Sequence, residues 1–111
     1  MANHYYNSED LGKFGRIAEF QKPLADKFFA WYGEVFEEGN LTAKEKSLIA
    51  LAVAHAVQCP YCIDAYSSDA YAKGYSEGQI MEAVHVAAAI RGGASLVHGV
   101  QMMNKVKEMA M

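Results

Sequence analysis

Cysteine is scarce in this chain. Its 111 residues hold only two, both in the stretch Gln58-Cys59-Pro60-Tyr61-Cys62-Ile63-Asp64-Ala65-Tyr66. So few cysteines exclude a disulfide-stapled scaffold, and so close a pair points to redox or metal chemistry. Basic charge is not in excess. The net charge of −3 gives no electrostatic reason to expect a nucleic-acid partner. The N-terminus, Met1-Ala2-Asn3-His4-Tyr5-Tyr6, lacks a basic region followed by an apolar run, so no secretory leader is expected and the cytoplasm is the expected location. The longest apolar run, Leu48 to Val57, is broken by His55 and is too short to span a bilayer, so no membrane partner is expected. Long polar linkers are missing too, which predicts one domain over residues 1–111. No segment alternates with period two between turn signals, so no strand is expected.

What remains is helical patterning in a chain that is 52% hydrophobic and 21% charged, the balance of a globular protein. Ser8-Glu9-Asp10 is a start signal, followed by the stripe Leu11, Phe14, Ile17 and Phe20. Pro23 starts a second helix carrying Leu24, Phe28, Trp31, Tyr32, Val35 and Phe36, with an end expected at Gly39. Those aromatics are expected in a core or a subunit interface. Thr42, with Glu45 three residues on, forms a capping box for a helix reaching Gln58. The second half of that helix is apolar almost all round, as in a buried central helix. A fourth helix opens at Cys59-Pro60 and ends at Gly74, a suitable C′ glycine. Ser76 caps a fifth, which Gly92-Gly93 is expected to break, leaving a sixth over Ala94–Met109. The expected architecture is all-α, a single domain of about six helices.

Pro60 lacks an N–H and suits the first turn of a helix, so Cys59 falls at or beside the cap and Cys62 within the first turn. There the unpaired N–H groups and the helix dipole stabilise a thiolate, the reactive form of cysteine. Several readings stay open on the residues alone. The pair can be a redox dithiol, in which one thiolate attacks and the other resolves. It can bind metal with His55, giving three ligands of a tetrahedral zinc but no evident fourth. It can be two inert buried thiols. A glutaredoxin-like reading of Cys-Pro-Tyr-Cys needs a preceding strand, whereas the residues before it read as helix.

The segment Leu41–Ala54, then Cys59-Pro60-Tyr61-Cys62, then Gly74-Tyr75-Ser76-Glu77-Gly78-Gln79-Ile80 resembles the carboxymuconolactone decarboxylase and alkylhydroperoxidase D superfamily. The likeness covers roughly residues 25–105, and the stretches Ala50–Tyr66 and Ala83–Gln101 look closer still to its arsenosugar-biosynthesis-associated, peroxidase-like branch. The resemblance implies an alkylhydroperoxidase D-like all-α fold and assembly as a homotrimer or homohexamer. It further implies a peroxidatic Cys62, a resolving Cys59, an external dithiol reductant and no cofactor. Decarboxylation of a lactone is disfavoured, because that branch does not depend on a cysteine pair.

Two departures stand out. Where the family's peroxidases carry a relay glutamate and histidine, this chain has Ser47 and Tyr66, neither a proton acceptor near neutral pH. Tyr66 falls one helical turn after Cys62 and can donate a hydrogen bond to its sulfur. His55, one turn before Cys59, and His85, in the apolar run Val84-His85-Val86, are the candidates to replace the relay. Glu45 reads as a capping residue, Arg91 and His98 as site-edge residues, and His4 as surface. The expected function is reduction of a hydroperoxide or another small thiol-reactive substrate. The alternatives are a dithiol oxidoreductase, an arsenic(III)-handling protein, and a metal-binding interaction module.

Overall fold

Gly92 and Gly93 do not interrupt the last helix. A computed structural model describes residues 6–111, leaving His4 outside the described residues. It shows five helices, where about six were expected. A 3-10 helix spans Ser8–Glu19, followed by α1 (Lys22–Val35), α2 (Ala43–Ala56), α3 (Pro60–Ala72) and α4 (Glu77–Ala110). Each glycine costs a helix about 1 kcal/mol relative to alanine, which weakens it without ending it. A glycine often ends a helix by taking up the left-handed conformation, and among the glycines only Gly74 has positive φ. The helix therefore runs through 34 residues.

The first segment differs from expectation in kind. Leu11, Phe14, Ile17 and Phe20 recur every three residues, the repeat that a 3-10 helix places on one face. Its cap is Asn7, whose Oδ1 accepts from the Glu9 N–H at 3.0 Å. Phe14 of this helix meets Phe28 and Phe29 of α1 edge-on. α1 itself ends at Val35, before Gly39.

The remaining helix starts follow local chemistry. Thr42 Oγ1 accepts from the Glu45 N–H at 3.0 Å while Glu45 Oε1 accepts from the Thr42 N–H at 2.9 Å. Those bonds, led by the backbone one, hold the Glu45 carboxyl below its usual range and confirm it as a capping residue. Ser76 and Gln79 repeat the reciprocal arrangement at α4. At the end of α2 the Gln58 N–H donates to the His55 carbonyl (3.2 Å) and the Cys59 N–H to the Ala54 carbonyl (3.0 Å). This is a Schellman motif with Gln58 in the left-handed position, φ 57°. Gly74 closes α3 the same way, with φ 102°. Left-handed backbone costs a residue with a Cβ about 1–2 kcal/mol. Gln58→Gly is therefore expected to raise the unfolding midpoint in urea by an equivalent of about 1 kcal/mol. An unchanged or lowered midpoint would show that the Gln58 side chain contributes more than its strain.

α2 is central, packed between α3 and α4. Its inward residues Ser47, Leu51 and Ala54 are buried, together with Ala70 of α3 and Ala83 and Ala87 of α4. The opposite side of α2 is not covered as expected. Ile49, Val53 and Val57 are about half exposed, because α1 packs on the 3-10 helix and diverges from α2. A cleft opens between α1 and α2.

Candidate functional site

Cys59 is the N-cap of α3, Pro60 is its first residue, and Cys62 lies in its first turn. The Schellman turn that ends α2 thus delivers Cys59 directly into the start of α3. Cys59 Sγ accepts from the Cys62 N–H at 3.2 Å. The two sulfurs lie at disulfide distance, with Cα atoms 5.2 Å apart. Tyr61, between them, tethers the N-terminal segment. Its hydroxyl accepts from the Asn7 N–H at 3.3 Å and donates to Asp10 at 3.4 Å.

Cys62 faces the α1–α2 cleft, whose volume is about 440 Å³. Tyr32, Phe36, Val53, Val57 and Tyr66 line it with Cys62, and its walls are almost wholly apolar. Lys46 closes one end, donating to the Val35 carbonyl (2.7 Å) and the Glu37 carbonyl (2.5 Å) at the end of α1.

Tyr66 is packed flat on Phe36, ring centroids 5.2 Å apart, and its hydroxyl is hydrogen-bonded to that of Tyr32. Burial, and then the Tyr32 hydrogen bond, push its phenol well above the ordinary tyrosine value. Tyr66 therefore stays protonated wherever a thiolate can form, and acts as a donor.

Ser47 is fully buried, and its hydroxyl donates to Asp69 Oδ2 at 2.7 Å. Lys73 pairs with the other oxygen of Asp69. Lys73 foremost, with Ser47 assisting, holds the Asp69 carboxyl below the usual range. Asp69 is thus an anion at neutral pH and a weak proton acceptor. Cys62, Tyr66, Asp69 and Lys73 follow one another at four, three and four residues, one face of α3.

Asp69 and Lys73 are not singled out by the sequence pattern, and Tyr32 is singled out only as one of the core or interface aromatics, not as a site residue. The α3 spacing carried a signal for the first two. Tyr32 had none, because its contact with Tyr66 crosses between α1 and α3. The histidines are placed elsewhere in the chain. The His55 ring donates from Nδ1 to the Leu51 carbonyl at 2.9 Å and lines a second cavity, with Val84, Ala87, Ala88 and Arg91, between α2 and α4. His85, the other relay candidate, is exposed on α4. Neither ring lines the cleft that holds Cys62 and Tyr66. Arg91 donates to the Ala56 carbonyl at the end of α2, and His98 is paired with Gln101 at 2.8 Å. As for a metal, no three His, Cys, Asp or Glu side chains are gathered among the described residues.

Helices alone, with a cysteine pair at a helix start beside an apolar cleft, define a small all-α dithiol domain. The chain belongs to the carboxymuconolactone decarboxylase family, whose model matches residues 22–105. It is 42% identical over 84 residues to uncharacterized protein 4 in the cox locus of Paracoccus denitrificans, a match covering 76% of each chain. It is also similar to the crystal structure of a Methanobacterium thermoautotrophicum protein solved in a structural-genomics programme. That match has a TM-score of 0.69 and 35% identity, over 72% of this chain and 92% of the other. Neither description mentions arsenosugar chemistry, so the family is established and the branch is not.

Proposed function

We propose that the protein is a thiol-dependent peroxidase that reduces apolar hydroperoxides through the Cys59–Cys62 couple. The observation that supports this best is the placing of Cys62, at disulfide distance from Cys59 and on the wall of an apolar cleft that also holds a protonated phenol. In the reduced protein, Cys62 thiolate attacks the distal oxygen of ROOH. The O–O bond breaks, an S–O bond forms, and RO⁻ takes a proton from Tyr66, which regains one from water. The sulfenic acid then condenses with the Cys59 thiol, releasing water and forming the disulfide. An external dithiol supplies the two electrons that restore the pair, in the reducing compartment expected for this chain. Tyr32 holds the Tyr66 hydroxyl in place, and Phe36 fixes its ring.

The test is stoichiometric. Fully reduced protein given one equivalent of cumene hydroperoxide is expected to lose two thiols and consume one peroxide per chain. Hydrogen peroxide should react roughly tenfold more slowly, because it lacks the apolar group whose burial contributes about 0.8 kcal/mol per methylene. Thiols that stay reduced over hours, while the pair still exchanges with a disulfide reagent, would overturn the peroxidase reading and leave a dithiol oxidoreductase.

A further inference from the structure

Among the described residues that line the Cys62 cleft, Lys46 is the only charged one. It has a structural duty, closing the end of α1 through the Val35 and Glu37 carbonyls. That duty does not exhaust it. An ammonium carries three N–H groups, and those two carbonyls take two of them. Lys46 forms no ion pair with a carboxylate among the described residues, and it is only partly exposed. An apolar cleft thus ends in a cation with one N–H and its charge still to offer.

The cation and the cysteine pair lie at different levels of the cleft. α3 runs back along α2, since the Cys59 N–H donates to the Ala54 carbonyl and Ser47 bonds Asp69. The start of α3 is therefore level with Ala54, eight residues beyond Lys46, about 12 Å along α2. Between the two levels the wall is formed by Ile49, Ala50 and Val53. A hydrocarbon chain of about ten carbons spans that distance, given roughly 1.5 Å for each C–C bond along its zigzag.

We propose that the cleft takes an amphipathic hydroperoxide, a long-chain carboxylic acid whose peroxide lies about ten carbons from its carboxylate. The carboxylate accepts the third N–H of Lys46, and the chain lies along Ile49, Ala50 and Val53. The peroxide then meets Cys62 and Tyr66. The bond changes are those given above: the O–O bond breaks, the disulfide forms, and a hydroxy acid and water leave. Lys46 sets specificity and touches no reacting atom. For its chemistry the proposal rests on the peroxidase reading, and for its binding on the cleft alone.

The full reduced chain tests both parts. Linoleic acid hydroperoxide, below its micelle concentration, is expected to oxidise the pair about tenfold faster than its methyl ester, the scale of a charge-assisted hydrogen bond partly open to water. In Lys46→Met the ratio of the two rates should fall to about one, whatever the absolute rates, while Lys46→Arg should keep it. Octanoate, which carries no peroxide, should bind about tenfold more tightly than octanol by calorimetry, and the difference should vanish in Lys46→Met. Thiols lost equally fast to acid and ester overturn the proposal and leave the peroxidase reading standing. Tighter binding of octanoate, with no thiol lost to any hydroperoxide, overturns the peroxidase reading and keeps the carboxylate site. A preference for the acid that survives in Lys46→Met overturns the role of Lys46. If that variant unfolds for want of its contacts to α1, the wild type in rising salt replaces it. The preference should then shrink as the ion pair is screened, and a preference indifferent to salt overturns the proposal.

Discussion

Cys62→Ser is expected to abolish even one stoichiometric reduction of cumene hydroperoxide, whereas Cys59→Ser keeps that first event and stops there. The asymmetry follows from the fold. Cys62 lines the cleft, and it lies in the first turn of α3, where the helix dipole favours a thiolate. Cys59 is the cap residue at disulfide distance from Cys62, the position the proposed mechanism requires of a resolving thiol. In Cys59→Ser no resolving thiol remains, so the sulfenic acid should accumulate and be trapped by dimedone on the Cys62 peptide. Dimedone adduct on Cys59 in the Cys62→Ser variant would reverse the two roles. A structural metal site predicts a different pattern, in which either substitution releases metal and lowers stability alike.

The rate of that first event is expected to be modest, and the polar side of the cleft explains why. The resemblance sets Ser47 and Tyr66 at the positions where it implies a glutamate and a histidine in the family's peroxidases. The Ser47 hydroxyl is taken up by Asp69, whose carboxylate is already paired with Lys73. The Tyr66 phenol is held protonated, and among the described residues that line the cleft there is no histidine or carboxylate to take the Cys62 proton. Formation of the thiolate therefore depends on the helix start and on solvent.

What could be read from the sequence was local chemistry. The Thr42–Glu45 box, the Ser76 cap, Pro60 in the first turn of α3 and the stop at Gly74 depend on residues within one turn of each other. Their effects survive any tertiary context. The expected break at Gly92-Gly93 failed because a glycine pair is only a weak penalty inside a long helix flanked by good formers. His85 was expected to serve the cysteine site as a relay candidate, on the strength of its place in the apolar run Val84-His85-Val86. In the folded chain that side of α4 is bare, and the apolar run marks an uncovered surface. The Tyr32–Tyr66 pair joins residues 34 positions apart, and the Ser47–Asp69 bond joins two helices. Neither has a signature in the linear pattern. Thus the cysteine pair was legible in advance, and its polar surroundings required the packing of α1, α2 and α3.

Leu51→Ala is expected to lower stability by about 2–5 kcal/mol, the range for emptying a fully enclosed leucine site. Among the described residues, Leu51 is the only large apolar side chain that is completely buried. The rest of the buried apolar set consists of alanines, Ala25, Ala54, Ala70, Ala83 and Ala87. Small residues let α2, α3 and α4 approach closely, but they leave Leu51 as the main apolar volume between the helices. The surrounding helices cannot collapse into the vacated space without separating the buried Ser47 from Asp69. The informative comparison is Val53→Ala, two residues away on the outward side of α2 and about half exposed in the single chain. Urea unfolding followed by circular dichroism at several protein concentrations separates the two. The Leu51→Ala loss should persist at the lowest concentration, because its cavity lies within one protomer. The Val53→Ala loss should be small, because its side chain is about half exposed in the single chain. A Leu51→Ala loss below about 1 kcal/mol would mean that the helices close over the cavity, and that α2 is less firmly held than its burial implies.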